Sequence, residues 1–160
     1  MTTAEELPAR SRIVQEHLVA AGIESGIRVL PDSARTAALA ASAIGCEVGA
    51  IANSLVLTAD DEPILVMTSG AHRVDLAVLA HSVGADAVSM ASASMVREAT
   101  GQAIGGVAPV GHPAPLRTYL DEALRAYDEV WTAGGTPHTV MPLTFAQLCS
   151  LTGGEVIRVA

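Results

Sequence analysis

Val48-Gly49-Ala50-Ile51-Ala52-Asn53-Ser54-Leu55-Val56-Leu57-Thr58, then Asp60-Asp61, then Pro63-Ile64-Leu65-Val66-Met67-Thr68 is the stretch that decides the fold class. Two runs of β-branched and aliphatic residues flank a tight acidic turn, the pattern of an antiparallel hairpin. A regular doubly wound domain would place a helix between consecutive strands. The hairpin therefore leads us to expect an α+β fold with a mixed sheet.

The flanking sequence interleaves helices and strands irregularly. On the N-terminal side, Ala9–Ala21 reads as a helix with Ile13, Val14, His17, Leu18 and Ala21 on one stripe. Gly26–Leu30 reads as a short strand stopped by Pro31, and Ser33 as the cap of an alanine-rich helix, Ala34–Ile44, closing at Gly45. On the C-terminal side, Ser69 is expected to cap a helix carrying Val74, Ala77, Val78 and His81 and ending at Gly84. Ala87–Met90 reads as a strand, Ser94–Thr100 as a short helix, and Leu116, Leu120, Leu124 and Tyr127 as one face of an amphipathic helix. Val130–Ala133 is a strand candidate, followed by the turn Gly134-Gly135-Thr136-Pro137 and a short run through Val140. Thr144-x-x-Gln147 has capping-box form ahead of a last helix that stops at Gly153-Gly154, and Val156–Val159 closes as a strand. With 160 residues and no repeat or long linker, one domain over residues 1–160 is expected.

Composition narrows the function. Half of the chain is hydrophobic but only 2% is aromatic, so the core must be aliphatic and a base-stacking platform for single-stranded nucleic acid can hardly be built. The formal charge is −8 and all nine basic residues are arginine. Without lysine there is no lysine nucleophile and no P-loop cation. The acidic balance opposes broad binding to a phosphate backbone, DNA included. No run approaches the roughly 18 apolar residues of a membrane span. The acidic start, Met1-Thr2-Thr3-Ala4-Glu5-Glu6, is unlike a secretory signal, so a cytoplasmic location is expected.

The least ordinary segment runs from Gly101 to Pro115, with four glycines and three prolines in fifteen residues. Glycine admits positive φ and close approach to a ligand, whereas proline locks φ. Within it, Gly105-Gly106-Val107-Ala108-Pro109-Val110-Gly111-His112-Pro113 suits a rigid loop presenting main-chain N–H groups, as an oxyanion cradle needs. A connection built from tight turns would look the same. Its Gly-x-x-x-Gly-Gly spacing is not a dinucleotide fingerprint. His17 and His81 fall on helix stripes and read as core-edge residues, His72 sits near a helix start, and His112 and His138 lie in Gly/Pro-rich loops. No His-x-x-x-His or Cys-x-x-Cys spacing points to a metal, and no cofactor is expected. Ser54, Ser69 and Cys46 are conceivable nucleophiles, but no Gly-x-Ser-x-Gly elbow surrounds a serine. Asn53 is a polar residue within an apolar strand. It is either a solvent-facing position or a group at a pocket mouth.

Taken together, Ser33-Ala34-Arg35-Thr36 with Ala40-Ala41 and Gly45-Cys46-Glu47-Val48, Ile51-Ala52-Asn53-Ser54-Leu55-Val56, Gly105 to His112, and Ala133-Gly134-Gly135-Thr136-Pro137-His138 resemble the YbaK/prolyl-tRNA-synthetase-associated family of aminoacyl-tRNA editing domains. Order and spacing agree over roughly residues 12–155. The resemblance implies a mixed, β-barrel-like sheet flanked by helices, and hydrolysis of the ester joining a wrong amino acid to the 3′ end of a tRNA. It implies that the Gly105–Pro109 loop contacts the ester and terminal ribose, with bound water and the substrate's own hydroxyl carrying much of the chemistry. Where the family has a lysine on the second strand, this chain has Asn53, which can hydrogen-bond but cannot neutralise a phosphate.

Two functions follow. In a free-standing trans-editing deacylase, the Gly105, Gly106, Val107 and Ala108 amides would stabilise the oxyanion, with Asn53, Thr68, Pro109, His112 and His138 binding substrate. Its partners would be the aminoacyl-tRNA acceptor terminus and an aminoacyl-tRNA synthetase. The alternative is a catalytically weakened module of the same fold that recognises a nucleotide-like or aminoacyl ligand, or docks on a synthetase.

Overall fold

The computed structural model describes residues 7–24, 26–31 and 36–160. Its centre is the expected hairpin. Strand β2 (Ile51–Ala59) and strand β3 (Glu62–Ser69) pair antiparallel from Ala52↔Ser69 to Ala59↔Glu62. Asp60 and Asp61 turn the chain with φ of 49° and 70°. Positive φ at both central positions is what a two-residue turn needs to match strand twist, and aspartate tolerates it better than most residues.

The remaining elements are α1 (Ala9–Ala20), β1 (Arg28–Val29), α2 (Ala37–Ile44), α3 (Leu76–Val83), β4 (Val88–Met90), α4 (Ala93–Thr100), β5 (Thr118–Asp121), β6 (Val130–Ala133), β7 (Thr139–Leu143), α5 (Phe145–Thr152) and β8 (Glu155–Ile157). The strands form one mixed sheet in the order β1-β7-β6-β2-β3-β5-β8, with β4 also on β2. β2 pairs parallel with β6 at Ile51 and Ala52, and antiparallel with β4 from Leu57 to Ala59. β3 pairs parallel with β5, and β5 with β8. This is the expected α+β architecture of a mixed sheet flanked by helices.

Pleat alternation divides the hairpin between two faces. Ala52, Val56, Leu65 and Met67 enter the principal core beside Val14 and Leu18 of α1, Val96 of α4 and Leu148 of α5. Leu57, Ile64 and Val66 form a second cluster with Leu79 of α3, and Ile51 joins Ala40, Ala41 and Trp131 in a third, against α2. Asn53 and Thr68 are register partners on the face of the second and third clusters, in the seam between them.

Several expectations are corrected. The Leu116–Tyr127 segment is not an amphipathic helix: Thr118–Asp121 is a strand buried at every position, followed by a 3₁₀ turn, Glu122–Ala126. A short strand enclosed on both faces loses its period-2 signature, and leucines four apart then imitate a helix. Ser69 ends β3 and does not cap α3, whose cap is Asp75, accepting from the Ala77 and Val78 N–H groups. The expected start of α2, from Ser33 through Arg35, lies outside the described residues. The helix described begins at Ala37 under a Thr36 cap. His17, His81 and Ile13 are exposed, and the stripe of α1 is instead Ser11, Val14 and Leu18. Val48–Ala50 is a 3₁₀ turn before β2. The Thr144/Gln147 capping box forms as expected.

Candidate functional site

Between the α2 and α3 clusters lies a cleft of about 430 Å³. Asn53 and Thr68 come to it from the hairpin, Trp131 and Thr132 from β6, Gly105 from the glycine-rich loop, and His72 from the turn after β3. Ala37, Ala40, Ile51, Leu55, Val74 and Val140 make much of the wall aliphatic, and Ile104, 58% exposed, stands at the edge. A mostly apolar concavity with a few convergent polar groups is the usual form of a small-ligand site.

The glycine-rich loop is braced from within. Gln102 is buried, and its Oε1 accepts from the Ala108 N–H at 2.8 Å while its Nε2 donates to the Val110 carbonyl at 3.3 Å. Thr100 Oγ1 accepts from the Gln102 N–H, anchoring the brace to the end of α4. The Gly106 N–H donates to the Ala103 carbonyl at 2.9 Å. Gly106 also lies so close to the Thr136–Pro137 backbone that any side chain there would overlap it. The two glycine-containing loops of the sequence therefore pack on each other. Of the four amides expected to serve an oxyanion, those of Gly106 and Ala108 are thus already engaged. Val107 is 2% exposed and part of the core, which leaves Gly105 as the member on the cleft wall.

The other expected binding residues divide. Pro109 and His112 line a separate depression with Pro113, Pro115 and Leu151. His112 Nε2 donates to the Ala108 carbonyl at 2.8 Å and so clips the loop to itself. Burial lowers the His112 pKa below its ordinary value of 6.5, the hydrogen bond to Ala108 opposes this, and nearby His17 lowers it further. His138 is exposed in the β6–β7 turn, between the cleft residues Pro137 and Thr139, and its carbonyl accepts from the Leu30 N–H. Burial also raises the Cys46 thiol pKa, assisted by the Glu129 and Glu47 charges, which is the reverse of an activated nucleophile.

Sequence reasoning missed three features. Gln102, the loop brace, was hidden because a lone glutamine in a loop carries no signal. Arg28 places its guanidinium 4.8 Å from the Trp131 ring centroid, a cation–π contact across two strands. The third is a pair: His72 Nδ1 lies 2.9 Å from Oδ2 of Asp121, whose side chain is fully buried. Asp121 was obscured by the helical reading of its segment. An acid within Thr118-Tyr119-Leu120-Asp121, once read as a strand, would have stood out.

With this geometry in place, comparison defines the class. The aminoacyl-tRNA editing domain family matches residues 31–151, and the chain belongs to that family. A crystal structure described as that of "a putative trans-editing enzyme for prolyl tRNA synthetase" superposes with a TM-score of 0.90 at 44% identity, covering 96% of this chain and 98% of that one. YwhH of Bacillus subtilis (strain 168), described as uncharacterized, is 30% identical over 144 residues, 89% of this chain and 91% of its own length. A proline–tRNA ligase of Leuconostoc mesenteroides is 33% identical over 85 residues, 53% of this chain but only 14% of the ligase. No helix among the described residues is long and apolar enough to cross a membrane.

Proposed function

We propose that this chain hydrolyses the ester between a mischarged amino acid and the 3′ end of a tRNA, acting in trans to a synthetase. What carries the reading is the convergence of Asn53, Thr68 and Gly105, from three separate segments of an editing-domain chain, on one cleft. The cleft accommodates an aminoacyl group and a terminal ribose, not the body of a tRNA. Gly105 supplies the main-chain N–H for the developing oxyanion, and Asn53 and Thr68 hydrogen-bond the ribose hydroxyls and a water. The aliphatic wall receives the amino-acid side chain. The matched segments of proline–tRNA ligases make tRNA for proline the first acceptor to test.

The experiment is a panel of mischarged tRNAs scored for ester hydrolysis above the rate without protein. At least one should be deacylated, and no hydrolysis on any of them would sink the proposal. On the best substrate, Asn53→Ala should lower kcat/KM about fivefold, the worth of one hydrogen bond of about 1 kcal/mol. An unchanged value would remove Asn53 from the site.

A further inference from the structure

Among the described residues that line the cleft, His72 is the single titratable side chain. It sits on the turn closed by its own N–H donating to the Ser69 carbonyl at 2.9 Å, directly after the strand that carries Thr68. Its ring is fixed from behind. Asp121 has no solvent exposure, and its Oδ2 accepts from the Ser69 N–H at 3.0 Å as well as from His72 Nδ1, while Oδ1 accepts from the Ala123 N–H at 3.0 Å. A carboxylate held this firmly by two backbone donors can only accept, so it keeps the imidazole proton on Nδ1. The lone pair is then on Nε2, which meets no donor among the described residues. The side chain is 37% exposed, at once reachable and oriented. A base turned outward by a buried carboxylate is the arrangement that general-base catalysis requires.

We infer that His72, oriented by Asp121, is the proton-transfer residue of this cleft, an inference that rests on the deacylase reading above. Nε2 takes a proton from water as the water oxygen bonds to the ester carbonyl carbon. The imidazolium then returns that proton to the ribose oxygen as the carbon–oxygen ester bond breaks. The products are the free amino acid and a free ribose hydroxyl, and His72 ends neutral. Asp121 touches no reacting atom and acts as a positioning residue.

The test compares wild type with His72→Ala and His72→Asn on the best substrate of the panel, with thermal melts to verify folding. Both variants should lose about 100-fold or more in kcat with little change in KM, and free imidazole should restore part of the His72→Ala rate while leaving wild type unchanged. Asparagine can still donate to Asp121, so near-wild-type kcat in His72→Asn would mean a structural role and overturn the inference. So would a His72→Ala rate within threefold of wild type, or one that imidazole does not raise. A wild-type protein that deacylates nothing overturns the deacylase reading itself, and this inference with it. Should either variant fail to fold, nitrogen-15 spectra of the wild-type ring decide. Nδ1 should carry the proton, and the Nε2 signal should move when a hydrolysis-resistant aminoadenosine amide of the amino acid is added. An unmoved signal overturns the inference.

Discussion

His112 shows how one side chain in the Gly/Pro-rich segment can bond the loop to itself without lining the cleft. Its ring donates to Ala108, and burial favours the neutral form. A histidine whose folded pKa lies below the unfolded value of about 6.5 binds fewer protons in the native state. It therefore contributes stability that is complete above pH 6.5 and is lost as pH falls through the lowered folded value. Urea unfolding at pH 7.5 and 5.5 should show wild type losing more stability on acidification than His112→Gln, which cannot titrate. Equal losses would mean that His112 is not the group responsible. The same residue marks how far the site was legible. Histidine in a glycine- and proline-rich loop was a fair sign of importance, but sequence does not say on which side of the loop a ring falls. Asn53 was legible because a polar residue interrupting an apolar strand is anomalous on its own. His72 was not, because its significance comes from Asp121, 49 positions away, and no local pattern couples the two.

At the scale of elements, what could be read was whatever local chemistry dictates. The Asp60-Asp61 hairpin, α5 with its capping box, and β6 between Val130 and Ala133 follow from turn, cap and alternation rules. The Thr118–Asp121 strand does not, because its burial is imposed by packing on both faces of the sheet, Leu120 in the principal core and Tyr119 in the second cluster. The hairpin turn also shows two adjacent aspartates doing different work. Asp60 accepts from the Asp86 and Ala87 N–H groups, tying the turn to the approach of β4, whereas Asp61 occupies positive φ with no side-chain bond among the described residues. Asp61→Gly should therefore stabilise the protein by about 0.5 kcal/mol, by relieving left-handed strain. Asp60→Ala should destabilise it by about 1–2 kcal/mol, by stranding two donors. Urea midpoints with unchanged m-values measure both. Equal effects of the two substitutions would contradict this division.

The molecule as a whole carries a charge of −8, yet its proposed substrate is a polyanion. The conflict resolves if the protein engages only the acceptor end. Most of a tRNA's phosphates would then stay outside contact, and recognition would rest on the cleft's hydrogen bonds and aliphatic wall. One cation is placed to help. Arg28 is stacked on Trp131, a wall residue of the cleft, and no carboxylate among the described residues pairs with it. Arg28 is not itself a lining residue of the cleft but touches it through the Trp131 ring, whereas Asn53, which does line it, carries no charge. If contact is confined to the terminus, a short acceptor-stem duplex carrying the same aminoacyl ester should be deacylated with kcat/KM within about threefold of full-length tRNA. The salt dependence should be shallow, because neutralising a single phosphate on a single strand gives a log–log slope of only about −0.7. Arg28→Gln should raise KM, leave kcat unchanged and flatten that slope toward zero. A slope several times steeper, or a large loss of activity on the short duplex, would place the tRNA body against the protein. The cation that holds it would then have to be sought among the arginines away from the cleft.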